Sequence, residues 1–186
     1  MKRALWLVLA AASIAAACSN TDEKGLPASE DAAPPPVHVD PLGADPRCTS
    51  GRMRDPNESE GPEMMPGHAC IACHDATVAA TGEDAPNFAF GGTAFPSGHE
   101  PDDCIGSGAE GAIVTVTDSA GTKFTATANT SGNFFVEDQA PKFPITAVIE
   151  FQGRTRAMKT PQMLGDCNSC HTQQGDEGAP GRITLP

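Results

Sequence analysis

The chain has no tyrosine, one tryptophan, and aromatic residues at only 5% of its 186 positions. Aromatic side chains bury the most area each, and apolar residues of every kind reach just 39%. Any core built from protein atoms alone is therefore small. Positive charge is scarce too, with 12 lysines and arginines against 24 aspartates and glutamates. That balance excludes nucleic acid as a partner, because its phosphates would be repelled. It suits a basic partner protein or a cationic substrate, and it serves solubility equally well. The one long apolar run, Ala4 to Ala17, is too short to stay as a membrane-spanning helix. Nor is there a Ser-His-Asp arrangement, a phosphate-cradling glycine loop or a carboxylate pair that would mark an enzyme of those classes. Glycine (19) and proline (17) are plentiful instead, and there are seven cysteines.

Residues 1–17 read as a signal peptide: Met1-Lys2-Arg3, then the apolar run. The run ends Ala15-Ala16-Ala17-Cys18, which resembles the lipobox of bacterial lipoproteins. The resemblance implies export, lipidation of Cys18 and anchoring to a membrane. Ala15 stands where leucine is commoner, so ordinary cleavage leaving a free Cys18 stays open. Ser19-Asn20 is compatible with the outer membrane, facing the periplasm or the cell surface. Loss of Lys2 and Arg3 leaves 10 basic against 24 acidic residues, a formal charge of −14. Residues 18–46, acid- and proline-rich with Pro34-Pro35-Pro36, cannot bury enough apolar area to offset ordering and read as a flexible linker. His38 within them reads as a solvated side chain.

Two five-residue stretches stand apart from this background: Cys70-Ile71-Ala72-Cys73-His74 and Cys167-Asn168-Ser169-Cys170-His171. C-x-x-C-H is the pattern by which a c-type haem is attached, with two thiols on the porphyrin vinyl groups and the histidine on the iron. On these motifs and the leader, the chain resembles a dihaem c-type cytochrome lipoprotein. The resemblance implies two covalent haem c groups, held by Cys70 and Cys73 and by Cys167 and Cys170, with His74 and His171 as iron ligands. The competing reading is a four-cysteine zinc site. Zinc ribbons separate their cysteine pairs by roughly 15–20 residues, whereas 92 lie between His74 and Cys167. Segments 47–87 and 160–186 thus read as haem-binding segments, the first with a helix over Ala69 to Thr81 stopped by Gly82.

The ligand on the far side of each iron sets potential and reactivity. His99 is the leading distal candidate, since it sits on a polar loop with no apolar stripe to join. His68, Met64, Met65 and Met163 are the others, while Met158, at the end of an expected strand, reads as packing. With four cysteines on haem and one on lipid, Cys48 and Cys104 remain, and in an oxidising compartment an even remainder reads as a disulfide.

Between the motifs, alternating stretches recur at Asn87 to Phe95, Ala112 to Thr117, Thr122 to Ala128, Phe134 to Val136, Ile145 to Phe151 and Arg154 to Met158. Turn residues separate them. The order Phe90-x-Gly92-Thr93-x-Phe95, Gly111-Ala112-x-Val114-x-Val116-x-Asp118-x-x-Gly121 and Thr130-x-Gly132-x-Phe134 resembles carboxypeptidase-regulatory-like, or transthyretin-like, modules. The expected fold class is mainly β: a small sandwich over 88–159, flanked by short haem-binding helical and loop segments. The expected function is electron transfer among envelope redox proteins, with extracellular acceptors and a homo-oligomer or polymer left open. The alternatives are a haem enzyme, a peroxidase or small-ligand reductase, and a structural haem-bearing binding module.

Overall fold

In the computed structural model the described residues are 47–58, 60–82, 84–106 and 108–186. The expected signal peptide, Cys18, the linker 18–46 and His38 lie outside them. The described chain is mainly β. Helix α1 (Cys70–Thr81) precedes strands β1 (Phe88–Phe95), β2 (Ile113–Thr117), β3 (Lys123–Thr127), β4 (Asn133–Glu137), β5 (Thr146–Phe151) and β6 (Arg154–Ala157). A one-turn helix α2 (Cys167–Cys170) and a two-residue strand β7 (Ile183–Thr184) close it.

The strands form a three-stranded sheet, β4-β1-β7, and a four-stranded sheet, β3-β2-β5-β6. Alternation decides which side chains go inside, because successive residues of a strand point to opposite faces. In β2, Val114 and Val116 are buried while Ile113 is 40% exposed. In β5, Ile149 is buried and Val148 exposed. Phe90, Ala94 and Phe134 from the first sheet join Val114, Val116, Ala126 and Ile149 from the second in one apolar cluster. The strands thus fall where alternation places them, to within a residue or two.

The closing segment 160–186 departs from expectation. It is not an appendage to the sandwich: β7 lies parallel to β1, with Ala94 opposite Ile183 and Phe95 opposite Thr184. Asp166 bridges to Gly91 beside it. Two residues carry no periodicity, so nothing local announces this strand.

Helix α1 buries none of its residues. Its C-terminus is closed by Gly82 at φ 69°, whose N–H donates to Val78 O at 2.9 Å. Its N-cap position, Ala69, has no side chain able to cap. Among the described residues no helix is long and apolar enough to cross a membrane.

The β2–β3 turn is organised by Asp118. Its Oδ1 accepts from Ala120 N and Thr122 N, both at 2.8 Å, and Oδ2 accepts from Lys142 N at 3.1 Å. Burial pushes this carboxyl up, but the amides of Lys142, Thr122 and Ala120 outweigh it and hold the group below its ordinary value. A carboxyl held low in the fold stabilises fully above its unfolded pKa of about 4, and that stability fades as pH falls through the lower folded value. Asp118→Asn is therefore expected to make the acid-side decline of stability shallower below about pH 4. Urea unfolding of both proteins across that range checks the slope, and parallel curves would contradict it.

Candidate functional site

The two C-x-x-C-H stretches meet across one strand. Gly91 and Gly92 are neighbours on β1, so their missing side chains would point to opposite faces. A Cβ on Gly91 would touch Cys70 Cβ at 3.5 Å and Phe135 Cβ at 3.5 Å. A Cβ on Gly92 would crowd Cys167 Cβ and Phe134 Cζ at 2.9 Å. Phe134 belongs to the core and Phe135 is only partly buried. Cys167 thus lies on the inner face of the sheet and Cys70 on the outer. The glycine pair brings both motifs against backbone, which any larger residue would prevent at Gly92.

Side chains in and just before the second motif hold the segment of the first. Asp166, 3% exposed, accepts from Ala72 N at 2.9 Å through Oδ2, supplying from 94 residues away the cap that Ala69 lacks. Burial raises its carboxyl pKa against the lowering effect of the amides of Ala72, Cys70 and Ile71. Asn168, 2% exposed, donates through Nδ2 to His68 O at 2.8 Å and Thr93 Oγ1 at 3.0 Å, and its Oδ1 accepts from Thr93 N at 2.9 Å. Thr93 Oγ1 also accepts from Gly67 N at 2.9 Å and donates to Asn133 Oδ1 at 2.7 Å. Asn168, Thr93 and Asn133 satisfy one another and the backbone around them, which makes that part of the junction rigid, while Asp166 Oδ1 is buried without a hydrogen-bond partner.

Both motif histidines are oriented alike. His74 Nδ1 faces Pro86 O at 3.3 Å, with its ring 4.7 Å from that of Phe88, itself 5.0 Å from Phe135. His171 Nδ1 faces Gly181 O at 2.8 Å. A carbonyl only accepts, so in each neutral ring the proton sits on Nδ1 and Nε2 keeps its lone pair, the arrangement of a metal-ligating histidine. Burial lowers the His171 pKa and so favours that neutral form. The first thiol of each motif is partly buried, and desolvation pushes both Cys70 and Cys167 up to about 12.

On the inner side, Cys167, Cys170 and His171 line a cavity of about 580 Å³. Its other walls include Val114, Val116, Phe134, Ile145 and Ile149, with Arg156, Lys159 and Arg182 as its cations. A largely apolar cavity of this volume accommodates an organic cofactor. No protein-family model matches this chain, and no curated protein or solved structure matches it either. The motifs and this geometry are what bear on function.

The remaining candidates fall elsewhere. His99 Nδ1 lies 2.7 Å from Gln173 O, so it braces the loop that carries Gly181. His68 Nε2 is 3.3 Å from Asp103 Oδ1, which also takes Arg54 Nε at 3.0 Å. Met64 O accepts from Asn133 Nδ2 at 2.8 Å, Met65 sits at φ 45°, and Met163 is 70% exposed. None of these five lines the cavity; Met158, expected to be packing, does. Cys48 and Cys104 are brought together as expected, but both are free thiols rather than a disulfide. Cys104 Sγ donates to Glu100 Oε2 at 3.0 Å, and the donor atoms of Cys48, Glu100 and Cys104 lie within 4.8 Å of one another. Thr49 N and Ser97 Oγ also donate to the buried Glu100 carboxylate. Among the described residues this is the one group of His, Cys, Asp or Glu so converged. The four motif cysteines do not converge as a zinc site requires.

Sequence reasoning passed over Asp166, Asn168 and Arg182. One signal was present: the second motif has polar Asn168 and Ser169 where the first has Ile71 and Ala72.

Proposed function

We propose that this chain is a dihaem c-type electron carrier, exported and lipid-anchored through Cys18 at the outer membrane. The observation that carries the reading is the cavity of about 580 Å³ walled by core residues and bearing Cys167, Cys170 and His171. A bound haem supplies one-electron chemistry between ferric and ferrous iron. The chain's part is attachment, orientation and exclusion of water. Cys70 and Cys73 on the outer face and Cys167 and Cys170 on the inner face would be the thioether positions. His74 and His171 would ligate through Nε2, each aimed by a backbone carbonyl. Arg156 and Lys159 at the cavity, whose wall also carries Asp166 and Glu177, are suited to propionates.

The straddling of β1 favours electron transfer over a separate chemistry at each site, because only strand backbone divides the two motifs. The outer site, on a helix that buries nothing, is open to a partner protein, and the net negative charge suits a basic one. The test is expression of the full chain alongside c-type haem maturation machinery. Two haems per polypeptide by pyridine haemochrome, with low-spin signals in electron paramagnetic resonance, are expected. A colourless product sinks the reading, and a high-spin iron that rapidly binds carbon monoxide turns it toward a haem enzyme.

A further inference from the structure

Resting on that reading, we infer that the Sδ of Met158 is the ligand opposite His171 for the iron of the cavity haem. The ladder between β5 and β6 sets where Met158 points. Ile149 is paired with Arg156 and Val148 with Ala157, and Met158 N donates to Ala147 O at 2.8 Å, continuing the pairing by one residue. Residues opposite one another in an antiparallel pair share a face. Ile149 is a core residue, and Ala147, two positions earlier, shares its face. Met158 therefore projects inward, and it is partly buried between the exposed Ala157 and Lys159.

The donor chemistry of the wall narrows the choice. Cys167 and Cys170 are consumed by attachment, and His171 takes one axial position. The oxygens of Thr160, Gln162, Asp166 and Glu177 are hard donors, poorly matched to a low-spin haem iron. Lys159 is exposed. Met158 is the wall residue with a soft, neutral donor on an inward-facing position. A thioether opposite a histidine favours ferrous iron and raises the potential. The cavity haem would then favour the reduced state while seated against the core residues of the sandwich.

The test uses the haem-loaded full chain and Met158→Leu, a replacement close in volume that keeps the packing and removes the sulfur. The ferric wild type is expected to show the weak long-wavelength charge-transfer band of thioether-ligated haem, and Met158→Leu to lose it while keeping two haems. The variant iron becomes high-spin and binds carbon monoxide. Met158→His is expected to restore a low-spin iron at a lower potential. The band should persist in Cys70→Ser/Cys73→Ser and in Met163→Ala. A haem-loaded wild type without the band, or one whose band survives Met158→Leu, overturns the assignment alone. A chain that takes up no haem overturns the functional reading, and the assignment with it.

Discussion

Cys167→Ser/Cys170→Ser is expected to carry one haem per polypeptide instead of two and to unfold at a temperature lower by more than about 10 °C, roughly 3 kcal/mol or more. The first effect follows from attachment, since serine forms no thioether. The second follows from where the second motif lies. The residues around its cavity, Val114, Val116, Phe134, Ile145 and Ile149, are themselves the core between the sheets. These residues expose 5% or less of their surface, so what a covalently held haem would add is packing contact against this wall and its partly buried rim, many small dispersion terms that sum to a large one. The matching change at the outer motif, Cys70→Ser/Cys73→Ser, should also halve the haem but lower the melting temperature far less, because α1 buries no residue. Pyridine haemochrome and thermal unfolding of the two variants side by side measure both effects. Equal losses of stability would contradict the inner and outer placement of the two sites.

Arg182→Met is expected to cost about 3–5 kcal/mol of folding stability. The side chain is fully buried, and its guanidinium joins three separate stretches of backbone. Nε donates to Glu100 O at 2.8 Å, and Nη1 donates to Gly67 O at 3.1 Å and His171 O at 3.3 Å. Nη2 pairs with Asp102, and the group lies over the Phe95 ring, 5.1 Å from its centroid. Asp102 is half exposed, so the ion pair itself contributes modestly. The larger loss is the carbonyls left without a donor, each worth about 1–3 kcal/mol. Against a total of about 5–15 kcal/mol for a domain, this is a large fraction. Arg182→Lys should recover only part, because a lysine lacks the planar fork that reaches several acceptors at once. Urea midpoints at constant slope give the answer, and a loss under about 1 kcal/mol for Arg182→Met would show the junction to be held otherwise.

The β strands were legible because alternation is local: Val114, Val116 and Ile149 go inward for reasons their own neighbours state. The two C-x-x-C-H stretches could be picked out because each pattern lies within five consecutive residues. Helix α1 could be read from its alanines and from Gly82, but not its cap, which comes from Asp166. Met158 illustrates the limit. Its sequence context suggests a packing residue, and only its pairing opposite Ala147 turns it toward His171's cavity.

The sequence by itself determined the mainly β class, both C-x-x-C-H stretches and the acidic charge. Each of these is a matter of composition or of residues within a few positions of one another. The tertiary structure alone decided that the motifs lie on opposite faces of Gly91-Gly92, that Asp166 and Asn168 of one brace the other, and that β7 closes the sheet. Those contacts join residues that are mostly 70 to 100 positions apart. Local pattern shows which face a side chain seeks, but the face it meets is set only when the whole chain packs.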